Sequence, residues 1–219
     1  MPAQTPVFVA VAGNIGAGKS SLTRLLADRF GWIPYFESVD DNPYLADFYA
    51  DMKRWSFHLQ MYFLANRFKN HKQMIESGKP VIQDRSIYED AEIFARNLFE
   101  MGNMERRDYE NYVSLFRVMM EYLKPPDLMI YLQCSVDALL EQIAKRGRTY
   151  EQSITREYLE LLNGHYEEWI GRYDLGPLLV VRTKGLDFVH RANDLDELAG
   201  AVEKCLRNPA SSPRRTTFR

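Results

Sequence analysis

The stretch Pro6-Val-Phe-Val-Ala-Val-Ala12, followed at once by Gly13-Asn-Ile-Gly-Ala-Gly-Lys-Ser20, decides the fold of this 219-residue chain. The first part is a short apolar run typical of a buried parallel strand. The second part matches G-x-x-x-x-G-K-[ST], in which glycines let successive backbone N–H groups converge on phosphate oxygens at a helix N-terminus. The pattern therefore predicts a strand, a phosphate-binding loop and a helix in direct succession.

Residue types within and after the loop indicate how a nucleoside triphosphate is held. Lys19 reaches the β- and γ-phosphates in loops of this pattern, and the Ser20 hydroxyl can ligate Mg²⁺. Leu22 and Leu26 continue at helical spacing, and Gly31 is a helix stop signal. A glycine-rich turn without a ligand is the alternative, and the strand and helix that flank the loop argue against it.

The composition excludes several classes of protein. The chain is 46% hydrophobic and 13% aromatic, which is enough for a single α/β domain with a large core. Its net charge of −2 gives no global basic field, so we expect no nucleic-acid partner. The two cysteines and four histidines show neither zinc-site nor disulfide-framework spacing. No apolar run approaches the ~18 residues of a membrane span, and the N-terminal run lacks a basic n-region, so we expect a cytoplasmic protein without a membrane partner.

Strand-like runs alternate with helical patterns, which predicts an α/β fold with a five-stranded parallel sheet flanked by helices. The predicted strands cover residues 6–12, 32–36, 80–83, 127–133 and 178–183. After the helix that follows the loop, the predicted helices cover about residues 43–52, 55–77, 87–98, 106–123, 135–146, 155–172 and 194–206. We expect a single domain over residues 1–207. Residues 208–219 are polar and poor in apolar side chains, so we expect a disordered tail there.

Charged residues at the carboxyl ends of the strands indicate the acceptor side of a reaction. Asp84, Arg85 and Ser86 directly follow the third strand, at the edge where ligands bind in open α/β sheets. Glu37 follows the second strand at the same edge, and its carboxylate can accept a proton from an attacking hydroxyl. A solvated loop acid is the alternative for Glu37, and its position beside the phosphate loop favours the proton-accepting role.

Several stretches, in the same order, resemble the deoxyribonucleoside kinases, particularly the bacterial deoxyadenosine/deoxycytidine kinases. They are residues 13–20, Glu37-Ser-Val-Asp-Asp-Asn-Pro-Tyr-Leu45, Arg54-Trp-Ser-Phe-His-Leu-Gln-Met-Tyr62, Gln83-Asp-Arg-Ser-Ile-Tyr-Glu-Asp90, and Arg146-Gly-Arg148 with Glu151-Gln152. The resemblance implies a P-loop kinase fold with a helical lid at about residues 145–153, and a homodimer. It also implies transfer of a phosphoryl group from ATP to the 5′-hydroxyl of a deoxyribonucleoside, as in nucleotide salvage.

The resemblance implies roles at the transfer centre. Glu37 matches the general base for the 5′-hydroxyl, and Arg85 matches the arginine that steadies that carboxylate and the transferring group. Arg146 and Arg148 resemble lid arginines that close over the phosphates, and a solvated basic helix end is the alternative for both. Asp84 departs from the pattern of eukaryotic members, which carry glutamate at this position; the expected role of Asp84 is a water-mediated contact to Mg²⁺.

The resemblance also implies how the nucleoside binds. Tyr49 and Glu151 match the pair that hydrogen-bonds the sugar 3′-hydroxyl, with the tyrosine ring leaving little room for a 2′-hydroxyl. Gln60 matches the glutamine that pairs with the base edge, a task suited to an amide with a donor and an acceptor. Phe94 matches the ring that stacks on the base.

Arg67 and Asp90 match a charged pair that reaches the base in members acting on deoxycytidine and purine deoxynucleosides. Arg67 follows Gln60 by seven residues, so both lie on roughly one face of a helix. An ion pair on the helix surface is the alternative. Adenine, cytosine and guanine stay open, with deoxyadenosine the first choice and deoxycytidine the second.

The predicted ATP-binding residues belong to the loop, the lid or a segment near the adenine. They are Gly13, Asn14, Ile15, Gly16, Ala17, Gly18, Lys19, Ser20, Ser21, Arg146, Arg148, Asp187 and Phe188. Two other functions remain open: a nucleoside monophosphate kinase of the thymidylate kinase type, which shares the loop and the arginine lid, and a P-loop ATPase or switch. The sequence has no Asn-Lys-x-Asp guanine motif, which argues against the switch.

Overall fold

The computed structural model of the protein describes residues 6–36, 42–148, 151, 154–207 and 215–219. In this part of the chain six strands form one sheet in the order β2-β3-β1-β4-β5-β6, and every neighbouring pair is parallel. The strands are β1 (Phe8–Gly13), β2 (Ile33–Tyr35), β3 (Val81–Asp84), β4 (Leu128–Gln133), β5 (Leu178–Arg182) and β6 (Arg215–Phe218). The five predicted strands are confirmed, with ends shifted by at most two residues.

The sixth strand corrects two predictions, because the sheet has one strand more than expected and residues 215–218 are ordered within it. Residues 208–214 lie outside the described residues. The strand pairs in parallel with β5, from Leu178 opposite Arg215 to Val181 opposite Phe218. Threonine and phenylalanine fit a pleated, half-buried surface, and Phe218 packs against the core. The polar composition of the tail concealed this short edge strand.

The helices of the described residues cover both faces of the sheet. They are α1 (Lys19–Phe30), α2 (Leu45–Ala50), α3 (Met52–Glu76), α4 (Ile87–Glu89), a π-helical segment (Asp90–Ala95), α5 (Arg96–Glu100), α6 (Arg106–Met120), α7 (Val136–Arg146), α8 (Arg156–Gly171) and α9 (Ala192–Arg207). Among these residues no helix is both long and apolar enough to cross a membrane.

Alternate side chains of β1 point to opposite faces of the sheet and pack into two separate hydrophobic clusters. Ala10 and Ala12 of β1 belong to a cluster with residues of α3, α6 and α8, whereas Val9 and Val11 belong to a cluster with residues of α1, α7 and α9. A strand buried on both faces reads as a continuous apolar run, which is why the pattern of residues 6–12 identified it. The layers leave the carboxyl ends of β1, β2 and β3 side by side at one edge.

Arg219, the residue that follows β6, is attached to α9 by ion pairs. Arg219 forms ion pairs with Asp194, at 3.1 Å between Nη1 and Oδ1, and with Glu197. Asp194 is 7% exposed, and its other oxygen accepts the backbone N–H of Asp187 at 2.7 Å. The last residues of the chain therefore brace the segment predicted to lie near the adenine.

We expect a chain that ends at residue 214 to be less stable and to have a raised KM for ATP. Loss of the β5 pairing and of the Arg219 contacts should lower the free energy of unfolding by about 1–2 kcal/mol. At roughly 2–4 °C per kcal/mol for a chain of this size, the melting temperature should fall by several degrees. Arg207→Ala, which removes an exposed ion pair with Glu203, is the control. An unchanged melting temperature in the shortened chain would contradict the bracing role.

Candidate active site

The phosphate loop joins Gly13, the last residue of β1, to Lys19, the first residue of α1. Gly16 and Gly18 have φ angles of +84° and +90°, in the left-handed region that favours glycine. A Cβ atom on Gly16 would lie 2.8 Å from the carbonyl oxygen of Leu139, so a larger residue does not fit. A glycine-bent loop at the N-terminus of a twelve-residue helix is the geometry that binds phosphate.

Two predicted loop residues hold the loop in shape. The Nζ of Lys19, a buried side chain, donates to the carbonyl oxygen of Asn14 at 2.9 Å. The Asn14 side chain is used inside the protein: its Nδ2 donates to the Leu159 carbonyl at 3.0 Å and to Oδ1 of Asn163 at 2.7 Å, and its Oδ1 accepts the N–H of Ile15. Any contact of Asn14 with phosphate therefore comes from its backbone, while its side chain ties the loop to α8.

A cavity of about 420 Å³ opens beside the loop at the carboxyl edge of the sheet. Its volume falls within the roughly 300–1,000 Å³ of ligand pockets. The predicted site residues that line it are Ile15, Gly16, Lys19, Ser20, Tyr49, Gln60, Asp84, Arg85, Asp90, Phe94, Arg146, Arg148 and Glu151. The lining residues that were not predicted are Arg24, Phe36, Leu45, Phe48, Leu59, Phe63 and Tyr158.

The remaining predicted site residues do not line the cavity. Those that the structure describes are Gly13, Asn14, Ala17, Gly18, Ser21, Arg67, Asp187 and Phe188. Glu37, the predicted general base, lies outside the described residues. The strand before Glu37 ends at Tyr35, and the next residue, Phe36, lines the cavity. The last described residue before Glu37 therefore lies at the site.

Ser20 and Asp84 lie together where a divalent cation is predicted. The Ser20 hydroxyl donates to Oδ2 of Asp84, and Oδ1 of this buried carboxylate has no hydrogen-bond partner among the described residues. A hydroxyl and a carboxylate oxygen are ligands of the kind that Mg²⁺ takes. The described residues contain no group of three His, Cys, Asp or Glu suited to a metal. Ser20 and Asp84 fit an Mg²⁺ ion that takes its other ligands from phosphates and water.

Arg85 stands directly after β3 in a strained conformation. Its φ of +66° is unusual for a residue with a side chain and costs about 1–3 kcal/mol. Its N–H donates to the Val11 carbonyl at 3.0 Å, and its own carbonyl accepts from Nη1 of Arg67 at 3.1 Å. The guanidinium lies 4.4 Å from the ring centre of Phe94 and donates to the Tyr166 hydroxyl at 3.0 Å. These contacts fix a cation in the cavity wall.

Arg67 and Asp90 form a buried ion pair. Nε of Arg67 lies 2.6 Å from Oδ2 of Asp90, and the side chains are 5% and 3% exposed. The alternative of a surface ion pair is therefore wrong. Gln60 is also buried, and its Oε1 has no partner among the described residues. Gln60 and Asp90 both line the cavity, so an amide and a carboxylate form part of its wall.

The segment that carries Asp90 and Phe94 corrects the predicted continuous helix over residues 87–98. Residues Asp90–Ala95 are wound as a π-helix between α4 and α5. Such turns, with i→i+5 hydrogen bonds, are rare and occur frequently at functional sites. Both Asp90 and Phe94 line the cavity from this widened turn, and Phe94 also packs beneath the Arg85 guanidinium.

Residues predicted to act separately in the lid are paired in the structure. Glu151 is 6% exposed and accepts from Arg146, at 3.0 Å from Nε to Oε2 and 2.6 Å from Nη2 to Oε1. Nη1 of Arg148 lies 3.5 Å from the same carboxylate. Residues 149, 150, 152 and 153 lie outside the described residues. The lid arginines are thus attached to the carboxylate that was predicted to bind the sugar.

Phe188 lies beside the loop, and neither Phe188 nor Asp187 lines the cavity. The Phe188 ring is buried and approaches within 3.3 Å of a Cβ position on Gly18. The Asp187 carboxylate accepts the backbone N–H groups of His190 and Val189, and these hydrogen bonds lower the pKa of Asp187. Contact of the two residues with an adenine stays a prediction.

Residues 9–207 match a family model described as deoxynucleoside kinase. The match covers β1 from its second residue, the strands β2 to β5 and every residue that lines the cavity. The chain belongs to the deoxynucleoside kinase family.

Similar deoxynucleoside kinases are named for three bases. A deoxyadenosine/deoxycytidine kinase of Bacillus subtilis is 42% identical over 92% of this chain and 94% of its own length. A deoxyguanosine kinase of Lactobacillus acidophilus is 37% identical over 94% of this chain and 93% of its own length. A solved structure of deoxyadenosine kinase from M. mycoides, with dCMP and a flexible dCDP bound, is 32% identical with a TM-score of 0.81, covering 90% of this chain and 99% of that one.

Several residues of this deoxynucleoside kinase that shape the site were not predicted. Tyr158 of α8 lines the cavity, and burial raises the pKa of its hydroxyl to about 12. Tyr166 of α8 and Glu89 of α4 are fully buried behind Arg85. Polar residues on the apolar faces of their helices are a signal that could have marked them, because a buried polar group requires a partner.

Proposed function

We propose that this deoxynucleoside kinase transfers a phosphoryl group from ATP to the 5′-hydroxyl of deoxyadenosine in first place, and of deoxycytidine or deoxyguanosine more slowly. The observation that carries the choice of a nucleoside as acceptor is Gln60. Its buried Oε1 has no partner among the described residues, in the same cavity as Lys19 of the phosphate loop. An amide offers one acceptor and a pair of donors to the edge of a base.

The ion pair beside Gln60 supports a base with an exocyclic amino group. Arg67 holds Asp90 at 2.6 Å, so the carboxylate is an acceptor where it lines the cavity. Adenine and cytosine present an amino donor there, whereas thymine presents a carbonyl oxygen. The similar proteins include a deoxyadenosine/deoxycytidine kinase and a deoxyadenosine kinase with dCMP bound, so they support both adenine and cytosine. Deoxyadenosine is our first choice because both names carry it.

The residues around the loop would hold the donor. Lys19 would contact the β- and γ-phosphates, Arg85 and the lid arginines would hold the transferring group, and Glu37 would take the 5′ proton. Ser20 and Asp84 would hold Mg²⁺, which when bound neutralises charge on the phosphates. Positioning and electrostatic stabilisation supply most of the catalysis in such transfers.

The residues proposed to bind the sugar include Glu151, which belongs to the lid. Tyr49 and Glu151 line the cavity, and their proposed contact is the 3′-hydroxyl. Because Glu151 accepts from Arg146, a sugar bound to this carboxylate would also fix the arginine that faces the phosphates. A homodimer and a cytoplasmic location remain expectations from the sequence.

Initial rates with the four deoxynucleosides and ATP test the proposed function. We expect the highest kcat/KM with deoxyadenosine, lower values with deoxycytidine and deoxyguanosine, and the lowest with thymidine. Thymidine monophosphate is the matched control, because it offers a phosphate as acceptor. Phosphorylation of the monophosphate alone would overturn the proposal, and a thymidine rate equal to that of deoxyadenosine would overturn the roles of Gln60 and Asp90.

A further inference from the structure

One buried hydroxyl joins the donor and acceptor sides of the site. Tyr166 of α8 is fully buried, and its oxygen lies 3.0 Å from Nη1 of Arg85, 2.9 Å from the carbonyl oxygen of Gly13 and 2.8 Å from Oε1 of Glu89. The guanidinium donates to the hydroxyl, whose single proton goes to Gly13 or to Glu89. Arg85 is therefore linked to the first residue of the phosphate loop through one atom.

Glu89 makes the second link. This carboxylate is fully buried, and its Oε1 accepts the N–H of Gly13 at 3.2 Å. Its Oε2 accepts the N–H of Ser86 at 2.7 Å, and Nη1 of Arg85 lies 3.7 Å from Oε1. Both polar backbone groups of Gly13 thus contact the Glu89–Tyr166 pair. The carboxylate is compensated on both oxygens, as a buried charge must be.

Neither Tyr166 nor Glu89 lines the cavity that the described residues form. They therefore act on a ligand only through Arg85 and the loop. Burial raises the pKa of Tyr166 far above its ordinary value, so the hydroxyl keeps its proton at working pH. A misplacement of about 1 Å in a reacting group can cost on the order of a hundredfold in rate.

We propose that Tyr166 and Glu89 are positioning residues that hold the Arg85 guanidinium at a fixed place relative to the phosphate loop. The pair thereby keeps the Arg85 guanidinium, on the acceptor side, at a fixed distance from the loop that would bind the phosphates of the donor. This inference rests on the proposed function, in which Arg85 contacts the transferring group.

Tyr166→Phe tests the inference because it removes the hydroxyl and keeps the ring that stacks on Tyr131 at 5.7 Å between centres. We expect kcat to fall tenfold or more, up to about a hundredfold, with KM for ATP and deoxyadenosine nearly unchanged. Glu89→Gln should change kcat in the same direction, and serves if the first variant folds poorly. Tyr131→Phe is the matched control, since its hydroxyl bonds to Glu167 instead, at 3.0 Å.

A double-mutant cycle with Arg85→Lys separates positioning from a general loss of packing. If Tyr166 acts through Arg85, Tyr166→Phe should cost little further kcat in the Arg85→Lys background. Equal losses in both backgrounds, or wild-type kcat in both Tyr166→Phe and Glu89→Gln, would overturn the inference. Wild-type kcat in Arg85→Lys itself would instead remove the role of Arg85 in the proposed function, and with it the inference.

Discussion

Arg85→Lys is expected to lower kcat by about 10²- to 10³-fold, the usual cost of removing one preorganised group that stabilises the transition state. The guanidinium of Arg85 is placed by the Tyr166 hydroxyl at 3.0 Å and by the Phe94 ring at 4.4 Å. A lysine keeps the charge but loses the planar fork that contacts several partners at once. The result should be a charge that is present but misplaced, measured as kcat in steady-state assays with ATP and deoxyadenosine.

Binding measurements sharpen this expectation. The equilibrium affinity for deoxyadenosine should stay within a few-fold, because Gln60, Asp90 and Tyr49 are untouched and line the cavity themselves. Arg207→Lys, at an exposed ion pair on α9, is the control for loss of an arginine elsewhere. A lysine variant that binds deoxyadenosine weakly but turns over normally would show that Arg85 serves binding rather than transfer.

Local sequence patterns were sufficient to predict the strand, the loop and the helix on which the site is built. β1, the loop and α1 were predictable from two local signals. A strand buried on both faces is a continuous apolar run, and a loop position without space for a side chain, such as Gly16, requires glycine. Placing Asp84 and Arg85 at the carboxyl end of β3 then brought them to the loop, since β1 and β3 pair in parallel from Phe8 opposite Val81. When two strands pair in parallel, the residues that follow their carboxyl ends lie close together at one edge of the sheet, even when they are far apart in the sequence.

Contacts between distant segments could not be predicted in the same way. Tyr166 reaches Arg85 and Glu89 across 81 and 77 positions of sequence, and no local pattern encodes that distance. The left-handed φ of Arg85 is held by tertiary contacts, against the preference of the residue itself. The attachment of Arg146 to Glu151 was missed for another reason, because the family resemblance assigned each residue to a ligand.

The π-helical segment and β6 show the limit of periodicity. A helical pattern does not distinguish i→i+4 from i→i+5 hydrogen bonds, so the widened turn that carries Asp90 was read as an ordinary helix. β6 spans only four residues and has no apolar run, so its stability comes from pairing with β5 and from the Arg219 contacts. Both features depend on neighbours that a window of sequence does not contain.

Glu37→Gln is the second variant with a large expected effect, a loss of about 10²- to 10⁴-fold in kcat, the range for removal of a general base. The expectation comes from the place of Glu37 in the sequence, two residues after β2, whose Tyr35 pairs with Gln83 of β3. Phe36, directly after this strand, and Asp84, the last residue of the next strand, both line the cavity. A base that follows β2 would act at the edge that carries Lys19.

The amide that replaces the carboxylate in this variant keeps the size of the side chain and one acceptor oxygen, but it cannot take up a proton. The affinity for deoxyadenosine should therefore survive while turnover is lost, and single-turnover phosphorylation with saturating ATP should be slowed by the same factor as kcat. Glu76→Gln, at an exposed carboxylate that ends α3, is the matched control. Near-normal turnover in Glu37→Gln would remove Glu37 from the base role and leave transfer to Lys19, Arg85 and the lid arginines, acting by charge alone.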